Sequence, residues 1–130
     1  MSLRDILDAH QRALETGGAP GILSADAIQS AIGRPYSGYY RHIWSKAAAL
    51  TQSLVTNHGF TDGNKRTALL AVHLLVERSG WTFVPGTENE IDEMLVAVAR
   101  GDLSLMDIET WYRARLGRAR PVRRTRRVTR

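Results

Sequence analysis

Cysteine is absent from the 130 residues, so disulfide bonds and thiolate metal ligands are excluded. No stretch approaches the roughly 20 apolar residues of a membrane-spanning helix. The N-terminal residues Met1 to Asp5 also lack the basic and then apolar layout of a signal peptide. His10 and His42 show no spacing typical of a zinc site. These absences lead us to expect a cytoplasmic protein with no membrane segment and no zinc.

Acidic residues are missing from the C-terminal end, where the positive charge of the chain is concentrated. Residues 117–130 contain seven arginines and no acid, although the formal net charge of the whole chain is only +5. Residues 1–116 therefore carry a net charge of −2. An arginine run of this kind is usually solvated and often contacts acidic partners or nucleic acid. We predict one domain over residues 1–116 and a basic, disordered tail over residues 117–130.

Apolar residues at helical spacing account for most of the chain. Glycine and proline separate these segments. The predicted helices cover about residues 3–16, 24–32, 43–57, 64–79, 88–100 and 104–116. The segment from Pro35 to His42 contains three tyrosines and a glycine without helical period, which is typical of an extended or hairpin-like loop. The sequence thus predicts an all-α fold, with room for one small β-hairpin near residues 35–42.

Ten consecutive residues, His58 to Thr67, hold most of the chain's chemically versatile side chains. They precede an apolar run, Ala68 to Val76, that predicts a buried helix. The N-terminus of a helix offers unpaired backbone N–H groups and the positive end of the helix dipole, so it is suited to binding phosphate. The position of the polar cluster therefore indicates a phosphate-binding site.

Each residue type in the cluster suits phosphoryl or nucleotidyl transfer. A histidine such as His58 can accept a hydroxyl proton near neutral pH, and the carboxylate of Asp62 is a hard oxygen ligand suited to Mg²⁺ that phosphates also bind. Side chains and N–H groups at the helix start converge on an anion. The candidates for phosphate or nucleotide binding are Gly63, Asn64, Lys65, Arg66 and Thr67.

The cluster is not a P-loop, because that motif needs Gly-Lys-Ser/Thr in succession. It resembles the Fic/Doc family, whose motif runs His-x-Phe-x-Asp/Glu-Gly/Ala-Asn-x-Arg. The matching residues are His58, Phe60, Asp62, Gly63, Asn64 and Arg66. Lys65 stands where the Fic branch has glycine, and Leu69 stands where that branch has a second arginine. Both differences resemble the Doc branch, and the resemblance extends over about residues 3–116.

This resemblance implies a compact helical fold and a set of roles. His58 would be the base that activates a target hydroxyl, and Asp62 would help to place Mg²⁺ and the nucleotide phosphates. Asn64, Lys65 and Arg66 would bind phosphate. In this family a flap aligns the target peptide, so we expect that Tyr36, Tyr39 and Tyr40 line the target groove.

The resemblance also implies a function. We expect a Doc-type toxin that transfers the terminal phosphate of ATP, or of another nucleoside triphosphate, to a protein hydroxyl. The expected target is a threonine of elongation factor Tu, with arrested translation as the consequence and a cognate antitoxin as the inhibitor in trans. One alternative is a Fic-type transferase that moves AMP. Another is an interaction or nucleic-acid-binding protein that acts through the arginine tail.

Overall fold

The computed structural model describes residues 1–119, and these residues form one helical body with a small sheet. The six α-helices are α1 (Leu3–Ala13), α2 (Ala25–Gly33), α3 (Ile43–Thr56), α4 (Asn64–Arg78), α5 (Glu88–Arg100) and α6 (Leu105–Arg113). Two strands, β1 (Trp81–Phe83) and β2 (Leu116–Arg118), complete the described part. The predicted all-α fold is therefore confirmed.

Side-chain caps explain where several helices begin. Ser2, Thr87 and Ser104 each accept a hydrogen bond from the backbone N–H three residues later, and the acidic residue at that later position bonds back to the cap. Ser24 caps α2 through its hydroxyl alone. Such caps satisfy N–H groups that have no partner inside the helix, so the helix starts follow directly from the sequence.

Helices α3 and α4 form the centre of the molecule and pack against each other. Ala47, Ala48 and Ala49 on α3 and Ala68 and Ala71 on α4 are all fully buried. Small side chains at these positions let the neighbouring helices pack closely around α3 and α4. Helix α1 packs on α4 and helix α6 packs on α3. The packing of α1 and α3 against α4 therefore holds the N-terminal end of α4, and the loop before it, in place.

The two strands form an antiparallel pair outside the segment in which the hairpin was predicted. Trp81 pairs with Arg118 and Phe83 pairs with Leu116. Phe83 packs against His73 of α4 and Tyr112 of α6. Leu116, which we placed in the last helix, therefore lies in a strand. The strand also continues past the domain boundary predicted at residue 116, because its backbone pairs with β1; the rest of the predicted tail, from residue 120, lies outside the described residues.

The segment predicted to form a hairpin, residues 35–42, contains no strand. Residues Arg34–Tyr36 form a 3₁₀ turn, and bends follow it. Arg34 keeps helical angles (φ −56°, ψ −47°) although Pro35 follows it. Lys46 Nζ donates to the carbonyl oxygens of Tyr40 (2.6 Å) and Arg41 (3.2 Å). The Lys46 side chain thus binds two carbonyl groups that a second strand would otherwise bind, and the hairpin prediction was wrong.

Within residues 1–119, no helix is both long enough and apolar enough to span a membrane.

Candidate active site

The loop between α3 and α4 holds the residues of the predicted site. It leaves α3 through His58, whose φ of 50° lies in the left-handed region. Ile22 and Phe60 then form an isolated antiparallel bridge, and the Thr61 N–H donates to the Gly21 carbonyl at 3.0 Å. The Phe60 side chain is only 2% exposed. The loop is therefore anchored by a buried ring and by backbone bonds to the segment before α2.

Asn64 at the first position of α4 closes this loop on itself. Its Oδ1 accepts from the Phe60 N–H at 3.1 Å, and its Nδ2 donates to the Phe60 carbonyl at 2.9 Å. Both amide atoms of the side chain are therefore engaged within the loop. Asn64 also lines the cavity described below, and its side chain fixes the loop.

Asp62 is held by two backbone N–H groups. Its Oδ2 accepts from Ala19 at 3.1 Å and its Oδ1 accepts from Gly63 at 2.8 Å. These two bonds, together with the nearby charge of Lys65, hold the pKa of this carboxyl below its usual value. Each oxygen keeps a second lone pair for another partner. The side chain is thus an ionised, oriented carboxylate near neutral pH.

The donor set fits Mg²⁺ that is shared with phosphate. Among the described residues, no cluster of three or more His, Asp or Glu side chains could hold a metal ion by itself. Mg²⁺ that serves nucleotide chemistry is commonly bound by one or two carboxylates, phosphates and water. Asp62, with its free lone pairs, is suited to that arrangement.

A cavity of about 790 Å³ lies in front of the loop. His58, Asp62, Gly63, Lys65 and Arg66 line one side of it. Gly63 takes a left-handed conformation (φ 77°) immediately before α4. The cavity therefore faces the N-terminal end of α4, where backbone N–H groups and two cations can meet an anion.

Arg66 lines the cavity and also contacts the end of α1. Its Nη1 donates to the Ala13 carbonyl at 3.3 Å and to the hydroxyl of Thr16. These contacts direct the guanidinium along the cavity wall and leave its other N–H groups available to an anion.

The opposite wall of the cavity comes from α5, which the sequence did not connect with the site. Ile91, Asp92, Leu95, Val96 and Ala99 line it. The sequence predicted a helix over about residues 88–100, but not the element that this helix faces. The contact joins segments almost thirty residues apart, and no local pattern reports it.

Two groups of predicted residues lie elsewhere. Thr67 is fully buried, does not line the cavity, and its Oγ1 has no hydrogen-bond partner among the described residues. Its side chain is buried in the core of the domain, so the structure does not bring it to the cavity with the other predicted phosphate-binding residues. Tyr36, Tyr39 and Tyr40 do not line the cavity either. Tyr39 is 88% exposed, whereas the Tyr40 hydroxyl accepts from Arg34 Nε at 2.9 Å.

His10 belongs to the site although the sequence assigned it no role. It is buried on α1, stacks on the Phe60 ring with 3.7 Å between ring centres, and its Nε2 lies 2.8 Å from the Asp62 carbonyl oxygen. Its helical spacing with Ile6 and Ala13 marks an inward face, but sequence alone could not show what that face meets.

These features define a class of protein: a mainly helical domain in which a loop that begins with a histidine precedes the N-terminus of a buried helix. A model described as "Fic/DOC family" matches residues 1–76, which include this loop and most of α4. The chain belongs to the Fic/DOC family. It is also similar to Toxin Doc of Mycolicibacterium smegmatis, with 38% identity over 85 residues. That match covers 62% of this chain and 58% of the relative, so it spans less than two thirds of the relative's length.

Proposed function

We propose that this protein is a Doc-type toxin that transfers the terminal phosphate of a nucleoside triphosphate, such as ATP, to a hydroxyl group of a protein. One observation supports this most: His58, Asp62, Lys65 and Arg66 line a single cavity at the N-terminus of α4. Base, carboxylate, cations and helix N–H groups are the parts that phosphoryl transfer requires. The similarity to Toxin Doc supports the biological class.

Each residue of the site has a separate role in the proposed phosphate transfer. The target hydroxyl loses its proton to the imidazole of His58, and its oxygen forms a bond to the terminal phosphorus. The bond from that phosphorus to the bridging oxygen breaks, and the nucleoside diphosphate leaves. Lys65, Arg66 and the first N–H groups of α4 stabilise the charge on the phosphate oxygens. Asp62 would bind Mg²⁺, which supplies further neutralisation of the phosphates when it is bound.

Lys65 and Leu69 support phosphate transfer over AMP transfer. Both line the cavity, at the first turn of α4 and about one turn further on. A long cation in place of glycine occupies space at the helix N-terminus that an internal phosphate would need. Leu69 provides an apolar wall and no second guanidinium for a further phosphate. The proposed consequence is that only the terminal phosphate lies beside His58.

The experiment that tests this proposal measures the mass that is added to a modified target protein. Purified elongation factor Tu, our proposed target, is incubated with the protein, Mg²⁺ and ATP, and each modified peptide is weighed and sequenced. One added phosphate on a threonine would support the proposal, and translation in a cell-free extract should stop in parallel. An added AMP would assign the protein to the adenylylating branch. An unmodified target together with continued translation would refute the choice of target.

We further propose that a cognate antitoxin restrains the toxin in trans. An unrestrained transferase that acts on an essential factor would stop the growth of the cell that makes it. The partner is expected to be encoded beside this chain.

A further inference from the structure

His10 is a buried histidine whose polar contact reaches the catalytic loop. The side chain is 7% exposed and stacks on Phe60 with an angle of 7° between the rings. Its Nε2 lies 2.8 Å from the carbonyl oxygen of Asp62. A carbonyl oxygen can only accept, so Nε2 carries the proton in this hydrogen bond. The contact therefore fixes both the tautomer of His10 and the direction of one peptide carbonyl.

That carbonyl belongs to the peptide unit between Asp62 and Gly63. In a planar trans peptide the C=O and the N–H point in opposite directions, and residues 1–119 contain no cis peptide bond. Because the Asp62 carbonyl points to His10, the Gly63 N–H points away from His10. This N–H donates to Asp62 Oδ1 at 2.8 Å. The imidazole thus orients the carboxylate through a single peptide plane.

The peptide plane would turn easily without this contact. Gly63 is a glycine with φ 77°, and glycine has a wider choice of backbone angles than any other residue. Asp62 is exposed to solvent, so packing contacts do not restrain its orientation. The second bond to the carboxylate comes from Ala19, which lies in the glycine-rich segment after α1. His10 on helix α1 is the side-chain partner of the carbonyl of this peptide unit.

We propose that His10 is a positioning residue which sets the orientation of the Asp62–Gly63 peptide, and through it the orientation of the Asp62 carboxylate that would bind Mg²⁺. The functional part of this inference rests on the proposed phosphate transfer. The structural part does not, because it concerns a hydrogen bond and the mobility of one peptide unit. The two parts can therefore be tested separately.

Three single variants separate the hydrogen bond from packing. His10→Phe keeps an aromatic ring on Phe60 but removes the donor. His10→Gln removes the ring but keeps an N–H near the position of Nε2. His73→Phe is the matched control, because His73 is a half-buried histidine that also packs against a phenylalanine, Phe83, yet does not line the cavity. Circular dichroism and thermal melting establish that each variant is folded.

The structural readout is the NMR order parameter of the Gly63 amide without nucleotide. We expect the wild type, His73→Phe and His10→Gln to remain near the rigid value of about 0.85, and His10→Phe to fall toward the flexible range below about 0.6. A rigid Gly63 in folded His10→Phe, or a Gly63 as mobile in His10→Gln as in His10→Phe, would overturn the proposal. If His10→Phe does not fold, the exchange of the His10 Nε2 proton is measured in the wild type by NMR. A slowly exchanging proton supports the hydrogen bond to the Asp62 carbonyl, and the lack of such a proton overturns the proposal.

The functional readout is the transfer rate as a function of Mg²⁺ concentration. Loss of a residue that orients a metal-binding side chain commonly costs about 10–100-fold in metal affinity or activity. We expect that factor for His10→Phe, partly recovered at high Mg²⁺, with His10→Gln closer to the wild type and His73→Phe unchanged. An equal loss at every Mg²⁺ concentration would overturn the link to Asp62. A wild type that transfers nothing would refute the proposed function, while the NMR result on His10 would stand by itself.

Discussion

His58 combines an exposed imidazole with an unusual backbone. Its φ of 50° places a non-glycine residue in the left-handed region, at a cost of roughly 1–2 kcal/mol. Histidine tolerates this region better than most residues, and strained backbone positions are concentrated at functional sites. The left-handed turn ends α3 and brings the side chain to the cavity edge, where the target hydroxyl would arrive.

The first prediction tests this imidazole as a base. His58→Ala should lower the transfer rate about 10²–10⁴-fold, the usual contribution of a positioned base. The fold should be kept, because the side chain is exposed and makes no hydrogen bond among the described residues. His58→Gly is the companion variant: it should be equally inactive but melt at a higher temperature than His58→Ala, since glycine relieves the left-handed angle. Growth arrest by a folded His58→Ala protein would contradict the mechanism.

The second prediction concerns Lys65, the residue that we expect to set the pose of the nucleotide. Lys65→Gly should lower phosphate transfer and permit weak AMP transfer, because the first turn of α4 then has room for an internal phosphate. Lys65→Arg, which keeps the charge and the bulk, should continue to transfer phosphate. Mass spectrometry of the target measures both products in one sample. Unaltered phosphate transfer by Lys65→Gly would show that another residue sets the pose.

At the scale of elements, local signals in the sequence define the helices and long-range contacts define the rest. Ser24, Thr87 and Ser104 begin helices because each hydroxyl caps N–H groups within its own first turn. The Pro35–His42 segment could not be predicted in the same way. Its conformation depends on Lys46 and on Arg34, which reaches Gln52 Oε1 at 2.8 Å and Ser53 Oγ at 2.9 Å on α3.

The same distinction holds for the candidate site. The sequence predicted the residues of the loop because they are contiguous and precede an apolar helix. It could not predict the wall from α5, the stacking of His10 on Phe60, or the pairing of β1 with β2, because each of these contacts joins residues that are distant in the sequence. Thr67 does not line the cavity, because a motif fixes the order of its residues, whereas helical rotation decides which of them face the cavity.

The third prediction compares two glycines that end or begin helices. Gly63 before α4 and Gly101 after α5 both have φ 77°. A Cβ at Gly101 would meet no atom within 4 Å, whereas a Cβ at Gly63 would lie 3.4 Å from Leu14 and 3.6 Å from His10. Alanine at either position should cost roughly 1–2 kcal/mol of stability. Only Gly63→Ala should also lower the transfer rate of the folded protein, as measured at a temperature well below both melting transitions.

The fourth prediction concerns a buried hydrogen bond between α3 and α6. Thr51 and Tyr112 are fully buried, and their hydroxyl oxygens lie 2.5 Å apart. Burial raises the pKa of the Tyr112 hydroxyl well above its usual value, so the group stays neutral throughout the physiological range. Tyr112→Phe should destabilise the fold by about 1–3 kcal/mol, since it leaves the Thr51 hydroxyl unpaired in the core.

Thr51→Val supplies the control for this prediction. The double variant Thr51→Val/Tyr112→Phe removes both polar groups and should lose less stability than the two single variants added together. Urea denaturation measures all three. Additive losses would mean that the two hydroxyls do not stabilise each other. Transfer activity should be retained in each folded variant, because neither residue lines the cavity.

At the scale of the whole molecule, the cations of the site stand out against a mildly acidic domain. Residues 1–116 carry a net charge of −2, and the arginine-rich remainder gives the whole chain its +5. Lys65 and Arg66 at the N-terminal end of α4 are unfavourably placed with respect to the helix dipole unless an anion joins them. This placement supports the proposed anion site, for which acidic groups of a protein partner would compete.

The last prediction concerns how the site is restrained. Many Fic proteins contain an inhibitory helix of the form Ser/Thr-x-x-x-Glu-Gly/Asn, whose glutamate pairs with the second arginine of the motif. No segment of the 130 residues has this pattern, and Leu69 stands in place of that arginine. An antitoxin segment that folds on binding, with acids near Lys65 and Arg66, would supply the missing restraint. Adding the purified product of the neighbouring small gene should stop transfer at a one-to-one ratio. His58→Ala should bind it with unchanged affinity, because that variant removes the base and keeps both cations. If instead the purified chain alone is inert and becomes active when its own N- or C-terminal segment is trimmed, the restraint lies within the chain, since only an intramolecular contact is removed by trimming.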